Sequence, residues 1–220
     1  MLDLFCGRWG WSRAFAARGW ECVGVDLVCP PSPWPDNTTF FDFDIVTINA
    51  ESIFHITPNN IIRIHQFDFI CASSPCEQFS LFRMRHFHPN PPYPELGIKL
   101  FNHTRAICEQ SGVPYILENV YAAQQFVGRA QQHCGPYYLW GSAVPPLMPQ
   151  GISKGISQGG DSFTKLTTEE RRERRKQYGF LKTQPSSEER KNLTSGAATI
   201  PPELANCVCE YAERILEQRK

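Results

Sequence analysis

The stretch FDFICASSPCEQFS, residues 67–80, is the segment that most directly predicts the fold. Its first part, residues 67–72, is a continuous apolar run rather than an alternating one, which is typical of a strand covered on both faces of a sheet. The run ends in Ser73-Ser74-Pro75-Cys76, whereas a strand that simply turns usually ends in glycine, asparagine or aspartate. Cys76 is therefore either a small apolar residue of the core or a thiol placed where the chain opens to a ligand.

Strand-like and helix-like segments alternate on both sides of this run. The pattern predicts strands at 1–6, 20–26, 38–45, 67–73 and 114–120, and helices at 12–19, 94–112 and 201–220, the first with Ser12 as its N-cap. Such alternation is typical of βαβ units and predicts an α/β fold with a mainly parallel sheet.

Three further segments have less regular patterns. We expect a helix at 51–65, interrupted near Pro58, and a long loop rich in His, Arg, Phe and Pro at 79–94. Residues 166–180 predict a charged helix capped at Thr167 or Thr168.

The composition indicates an ordinary globular protein with neither a disulfide framework nor a structural metal site. The chain has 220 residues, and its 22 Lys and Arg balance its 22 Asp and Glu, so the net charge gives no support for a polyanionic partner. Its nine cysteines are odd in number and contain no CxxC pair, which argues against disulfides and against structural zinc. We expect a cytoplasmic protein, a monomer with no metal, and no signal peptide or membrane span.

Polar and glycine residues collect where the predicted strands end. They are Cys6 to Gly10, Asp26, Asp44, Ser73 to Cys76, and Glu118 with Asn119. Parallel sheets bind ligands at the carboxyl ends of their strands, and a glycine turn followed by a helix suits a nucleotide-like cofactor. In that interpretation Asp26 accepts hydrogen bonds from a ribose, although the glycines could equally form a tight turn and Asp26 cap it.

Two of these side chains suggest covalent chemistry. Cys76, after a proline and among polar residues, has the setting of a nucleophile, while Cys6 and Cys71 lie in apolar strands and belong to the core. Glu118 follows an apolar strand, where partial burial would let its carboxyl group donate a proton near neutral pH. Capping of a loop is the structural alternative for Glu118, and Asn119 could hold the turn by bonding backbone.

Several blocks, in this order, resemble the cytosine-5 DNA methyltransferases. They are LDLFCGRWGW, GVD, FDFDI, SPCEQFS, LENV, CGPYYLWG and ATIPPELA, over most of residues 2–142 and again over 196–216. The Pro-Cys pair and the Glu-Asn-Val segment are the specific part. The resemblance implies a Rossmann-like methyltransferase fold with helices on both faces and a catalytic domain at 1–142. It also implies a short basic recognition insert at 143–195 and a C-terminal helix at 196–220 that packs back on the catalytic domain.

The resemblance also implies S-adenosylmethionine as cofactor and a covalent mechanism. The Cys76 thiolate adds to C6 of cytosine, Glu118 acts at N3, Asn119 supports the site, and C5 takes the methyl group. A duplex substrate would require base flipping, with the loop 79–94 closing over the base. The residues implied for the cofactor are Phe5, Gly7, Trp9, Gly10, Asp26 (ribose), Asp44 and Ile45 (adenine), and Ser74.

The chain departs from the family pattern at three places. Trp9 stands where the first turn normally has a second glycine, Glu77 replaces the glutamine after Pro-Cys, and no arginine-rich block follows Trp140.

Contacts to DNA are predicted in two basic segments. Between residues 163 and 192 nine Lys and Arg face five Asp and Glu, so this stretch could follow a phosphate backbone or form a solvated helix with its own ion pairs. The predicted nucleic-acid-binding residues are Ser80, Arg83, Arg85, Arg171, Arg174 and Arg175. Two alternatives stay open: the same chemistry on a cytosine nucleotide or RNA, and a non-catalytic nucleic-acid-binding relative.

Overall fold

The computed structural model describes residues 1–57, 60–83, 89–152 and 200–219. Its strands are β1 (Leu2–Leu4), β2 (Cys22–Asp26), β3 (Thr38–Asp42), β4 (Ile53–Thr57), β5 (Asn60–Arg63), β6 (Ile70–Ser73), β7 (Tyr115–Asn119), β8 (Gln132–Cys134) and β9 (Tyr137–Trp140). Its helices are α1 (Ser12–Ala17), α2 (Glu77–Arg83), α3 (Glu95–Ser111), α4 (Gln124–Val127) and α5 (Pro202–Glu217). The strands predicted at 1–6, 20–26, 38–45, 67–73 and 114–120 and the helices at 12–19, 94–112 and 201–220 are confirmed in type, with shorter bounds.

Seven strands form the central sheet in the order β3-β2-β1-β6-β7-β9-β8. The first five run parallel, whereas β9 is antiparallel to both β7 and β8. The predicted mainly parallel α/β sheet is confirmed, and its topology is compatible with a Rossmann-like fold. The chain builds outward from β1 to β3 and then returns to the other side of β1 for β6, so the strand order reverses between β1 and β6.

Both faces of the central strands are covered. On one face Leu2, Leu4, Ile70 and Leu117 join a buried cluster with Phe101 of α3. On the other face, residues between these positions pack under α1 and α5; they include Phe69, Cys71 and Ile116, with Phe15, Leu204 and Val208 from the helices. This alternation explains the continuous apolar run, because each successive side chain enters a different core.

The helix expected at 51–65 is wrong. These residues form β4 and β5, a two-stranded antiparallel sheet whose pairing places Ile53 opposite Arg63 and Phe54 opposite Ile62. The segment is rich in isoleucine, which favours extended structure, and the Pro58-Asn59-Asn60 interruption is a turn signal between two β-branched runs. Phe54 is buried against the sheet, so the hairpin covers part of one face.

The loop expected at 79–94 is wrong in its first part, because α2 continues to Arg83. Phe79 is fully buried and stacks on Phe126 at 5.9 Å between ring centroids, and Phe82 meets the same ring at 5.0 Å. These contacts with a residue far along the chain hold the segment in a helix. Residues 84–88, the charged helix expected at 166–180, and most of the insert expected at 143–195 lie outside the described residues.

Trp9 packs against β2 at a position where the strand has no side chain. The Trp9 indole is buried, and a Cβ placed on Gly24 would lie 2.2 Å from its ring carbon Cζ3. Trp34, from the proline-rich loop after β2, covers the same ring at 5.6 Å, and Phe40 of β3 lies 6.4 Å away. Trp9 and Gly24 are therefore a matched pair, one supplying the volume that the other leaves open.

We expect Gly24→Ala to destabilise the protein by about 1–3 kcal/mol, since the new methyl group overlaps the Trp9 ring in a filled core. The free energy of unfolding, measured with urea, checks this. In a Trp9→Ala background most of that cost should disappear, because the ring is gone. An equal cost in both backgrounds would show that Trp9 is not the group that excludes a side chain at position 24.

Candidate active site

Three neighbouring strands end at the same level of the sheet. Leu4 lies opposite Ala72, and Ala72 lies opposite Leu117, so β1, β6 and β7 reach their carboxyl ends together. One residue later Ser73 is opposite Glu118. This edge is also where the strand order reverses, the place at which open α/β sheets bind ligands. The polar segments that follow these strands in sequence therefore share one edge.

The first turn, after β1, is bent by three residues in the left-handed region. Phe5, Gly7 and Trp9 have φ values of 61°, 50° and 63°. The half-buried carboxylate of Asp26 fixes this turn, accepting the Gly7 N–H at 2.9 Å and the Val28 N–H at 3.4 Å. Asp26 thus has the capping role that the sequence left open, and each carboxylate oxygen retains a second lone pair that can accept a further hydrogen bond.

Two other residues predicted to bind the cofactor are engaged by the protein itself. The Trp9 ring lies in the core beside Gly24. A Cβ on Gly10 would lie 3.0 Å from both Cβ and the backbone nitrogen of Ile200, the residue that leads into α5. Gly10 is small here because the C-terminal segment passes over it, so both residues act on the first turn through packing and the path of the backbone.

The predicted adenine-flanking pair sits at the end of β3. Asp44 is exposed and accepts the Val46 N–H at 3.1 Å, which caps a 3₁₀ turn at Ile45–Thr47. Ile45 is buried in the core. His103 of α3 ties this turn to the fold, because its Nε2 lies 3.0 Å and 2.9 Å from the carbonyl oxygens of Ile45 and Ile48. Two carbonyl partners require Nε2 to carry the proton.

The turn that carries Cys76 is held by Asn119. The Nδ2 group of Asn119 donates to the Ser74 carbonyl oxygen at 2.9 Å and to Ser74 Oγ at 3.1 Å. Its Oδ1 accepts the Val120 N–H at 2.9 Å, and the Asn119 side chain is fully buried. The expectation that Asn119 bonds backbone at the end of its own strand is met by the Val120 bond, and the bonds to Ser74 extend this role to the neighbouring turn. Ser74 is itself buried, so its part in the site is to anchor the turn.

Glu118 lies on the strand next to this turn. It is 8% exposed and sits opposite Ser73 on one side and Leu139 of β9 on the other. Tyr137 of β9 is close enough that Glu118 influences it: burial and then the Glu118 charge raise the pKa of Tyr137 to about 12. Tyr137 was not predicted as a site residue, and the only sequence signal for it was its place in the CGPYYLWG block.

Burial acts on seven of the nine cysteines. It raises the pKa of the thiols of Cys6, Cys22, Cys71, Cys108, Cys134, Cys207 and Cys209. A thiol with a raised pKa forms little thiolate near neutral pH and is a poor nucleophile. Cys76 is half-buried between β6 and α2, and Cys29 is exposed in the proline-rich loop. The prediction that Cys6 and Cys71 belong to the core is confirmed.

The residues predicted to contact nucleic acid are only partly placed. Ser80 is half-buried on α2, and its backbone N–H donates to the Cys76 carbonyl oxygen at 2.9 Å. Arg83 is exposed, and its guanidinium carbon lies 5.0 Å from the centre of the Tyr121 ring. Glu77 is exposed at the start of the same helix. The remaining predicted contacts lie outside the described residues: Arg85, Arg171, Arg174 and Arg175.

The buried carboxyl group of Asp3 bonds the first residue of α1, directly after the first turn. Asp3 of β1 is 1% exposed, and its Oδ2 accepts the Ser12 hydroxyl at 2.6 Å and the Ser12 N–H at 3.2 Å. Within the described residues Oδ1 has no hydrogen-bond partner. The prediction that Ser12 is the N-cap of α1 is therefore wrong. Trp11 occupies the N-cap position, and the Ser12 hydroxyl donates to Asp3 instead. Burial raises the pKa of Asp3 to about 7, against the opposing effect of the Ser12 bonds.

The chain matches no protein-family model, and no curated protein matches it significantly. In the part that the structure describes, no helix is both long and apolar enough to cross a membrane. The same residues contain no group of three or more His, Cys, Asp or Glu side chains that could hold a metal ion.

Replacing Asp3 should change how stability depends on pH. Because the folded pKa of Asp3 is about 7, above its ordinary 3.8, the folded state keeps a proton that the unfolded chain loses. The stability of the native protein should therefore fall as pH rises from about 4 to 7. We expect Asp3→Asn to be more stable than the native protein at pH 8, with the gain shrinking toward pH 4. Urea unfolding at several pH values checks this, with the exposed Asp42→Asn as control. A gain that does not vary with pH would contradict the assignment.

Proposed function

We propose that the protein transfers a methyl group from S-adenosylmethionine to C5 of cytosine in DNA, through a covalent bond between Cys76 and C6. One observation carries the proposal: the turn at Ser74-Pro75-Cys76 is pinned by Asn119, whose neighbour Glu118 is buried on the adjacent strand in register with Ser73. A thiol and a carboxyl group are thus held on neighbouring strand ends by backbone geometry, where a planar base could meet both.

The residues of the first turn fit the cofactor that the resemblance implies. Between Phe5 and Trp9 the backbone takes left-handed conformations, and a Cβ added to Gly7 would meet only the Phe5 carbonyl oxygen, at 3.8 Å. Backbone can therefore approach a ligand closely at Gly7. Asp26 is half-exposed beside it and can accept from a ribose while it caps the turn. When bound, S-adenosylmethionine supplies the electrophilic methyl group.

The chemistry required of the chain is nucleophilic addition and proton management. The Cys76 thiolate adds to C6 of the ring, and Glu118 donates a proton to N3, so that the negative charge of the addition does not accumulate on the base. C5 then carries the electron pair that takes the methyl group. A base removes the C5 proton, the C5–H electrons form the C5–C6 double bond, the Cys76–C6 bond breaks to release the thiolate, and N3 returns its proton to Glu118. In duplex DNA the target ring must leave the stack to be reached from its face.

Glu77 follows the proposed nucleophile directly, and its exposure limits the effect of its charge on Cys76. A carboxylate next in sequence to the nucleophile would disfavour a thiolate if both were buried together. Glu77 is exposed at the surface, where water and salt screen its charge.

Replacing Cys76 tests the nucleophile. We expect Cys76→Ser to abolish transfer of a labelled methyl group to a cytosine-containing DNA duplex, because a hydroxyl is a far weaker nucleophile toward C6. Cys29→Ser, which changes the exposed thiol of the proline-rich loop, should keep full activity. The native protein should also form a covalent adduct with DNA containing 5-fluorocytosine, since C5 then carries no proton to remove. Transfer undiminished in Cys76→Ser would refute the mechanism, and transfer only to RNA or free cytosine nucleotides would refute the DNA substrate.

Replacing Glu118 tests the proton donor. Glu118→Gln keeps the size of the side chain but cannot donate the carboxyl proton, so kcat should fall by about 10²–10⁴ while the protein stays folded. The matched control is Glu77→Gln, which removes the adjacent exposed carboxylate and should leave kcat nearly unchanged. If the two variants lost activity equally, Glu118 would have no special role.

A further inference from the structure

A groove of about 860 Å³ lies between α2, the 3₁₀ turn at Tyr121–Ala123 and the hairpin of β8 and β9. Its wall carries two tyrosines, a histidine, four glutamines and two arginines, and none of the lining residues is acidic. We call it the aromatic groove. Its volume lies in the range of ligand sites, and its polar lining is unlike a defect in core packing.

Four side chains form a continuous ladder along this groove. The Arg83 guanidinium lies over the Tyr121 ring at 5.0 Å, and Tyr121 meets the edge of Tyr138 at 5.4 Å between centroids. Tyr138 in turn stacks on His133 at 5.1 Å, with only 17° between the ring planes. Tyr121 is 52% exposed, and Arg83 and His133 are exposed as well. An exposed series of π-faces ending in a cation is the arrangement on which bases stack.

The aromatic groove adjoins the candidate active site through the backbone. Tyr138 lies opposite Asn119 in the β7–β9 pairing, and Tyr121 follows Asn119 by two residues. Arg83 ends the helix that begins directly after Cys76. The aromatic groove is therefore built in part by the segments that directly follow Cys76 and Asn119 in the chain.

The glutamines of the groove are used to build its wall. Gln131 bonds Gly141 twice, donating to its carbonyl oxygen at 2.6 Å and accepting its N–H at 3.0 Å. Gln124 accepts the Ala130 N–H at 3.1 Å, and Gln132 donates to the Pro146 carbonyl oxygen at 3.0 Å. These amide groups are committed to backbone, so recognition in the groove falls to the rings and the arginines, which do not discriminate strongly among bases.

We infer that the aromatic groove binds a single-stranded nucleic acid segment next to the target cytosine, with its bases on Tyr121, Tyr138 and His133 and its phosphates near Arg83 and Arg129. The binding is largely independent of base sequence. This inference rests on the proposed function for the identity of the base in the active site, but strand binding by the groove is a separate activity.

The test uses the full chain without cofactor and fluorescein-labelled oligonucleotides of about 12 nucleotides, a length suited to single-strand sites. Anisotropy should show binding of single strands more tightly than of the same sequence as a blunt duplex. Tyr121→Ala should weaken binding about tenfold, since stacking on an aromatic ring contributes ~1–3 kcal/mol per base. Tyr121→Phe, which keeps the ring, should bind like the native protein, and so should Tyr211→Ala on α5, a tyrosine change outside the groove.

Salt dependence separates phosphate contact from a purely structural effect. Each of Arg83→Gln and Arg129→Gln should reduce the slope of log K against log salt by about 0.7, the contribution of one neutralised phosphate on a single strand. DNA and RNA strands tested in parallel identify the sugar that the groove prefers, and tight binding of either supports the inference.

Failure of this inference can be told from failure of the proposed function. Cys76→Ser should lose methyl transfer and keep strand binding. Single-strand binding unchanged in both Tyr121→Ala and Tyr138→Ala, equal weakening by Tyr121→Phe, or binding of duplex alone would overturn the groove assignment even if methyl transfer occurs. Ring-dependent strand binding without methyl transfer would uphold the groove and refute the enzyme.

Discussion

The burial of β1, β6 and β7 on both faces is the constraint on which this fold depends. Every side chain of a doubly covered strand enters a core, so polar chemistry has to be placed where the strands end. The parallel register then decides what meets there, because Leu4, Ala72 and Leu117 lie in one row and the residues after them emerge together. Asp3 places a carboxyl group in the middle of buried strand β1. Burial raises the pKa of Asp3 to about 7, which shows the cost of a charge at that position.

The site depends on hydrogen bonds between segments that are distant in sequence. Asn119 bonds both the backbone and the hydroxyl of Ser74, so the end of β7 determines the path of the chain toward Cys76. Asp26, at the end of β2, does the same for Gly7 in the first turn. In each case a side chain from one strand end fixes the loop that follows another. The sheet therefore sets the positions of both loops.

The parts of the fold that sequence predicted are those in which local pattern and tertiary role agree. The run at 67–72 predicted β6, and the spacing of apolar residues predicted α3 and α5. The hairpin of β4 and β5 was missed because the interruption at Pro58 was interpreted as a break in a helix, whereas it marks the turn between two β-branched runs. Helix α2 was missed because its support comes from Phe126, more than forty residues away in the chain.

The candidate site was predicted in outline, and its unusual residues were not. Cys76 follows β6, and Glu118 and Asn119 end β7, so topology alone brings them to one edge. The placement of Trp9 could not be read from the sequence, because nothing near it indicates that its ring would fill the space above Gly24. Gly10 was read as a cofactor residue, whereas its closest neighbour is Ile200, nearly two hundred residues away. Such pairs are visible only when both partners have been placed.

The contact between Gly10 and Ile200 has a consequence for how this fold can change over evolutionary time. Ile200 is anchored on the first turn, and the carbonyl oxygen of Ile152 lies against Gly135 beside β9, so the chain between these two residues starts and ends at fixed points. The entropy of closing a loop between fixed ends changes only slowly with its length. Insertions and deletions between residues 152 and 200 should therefore disturb the sheet less than a side chain added at Gly10 or Gly135, which would meet Ile200 or Ile152.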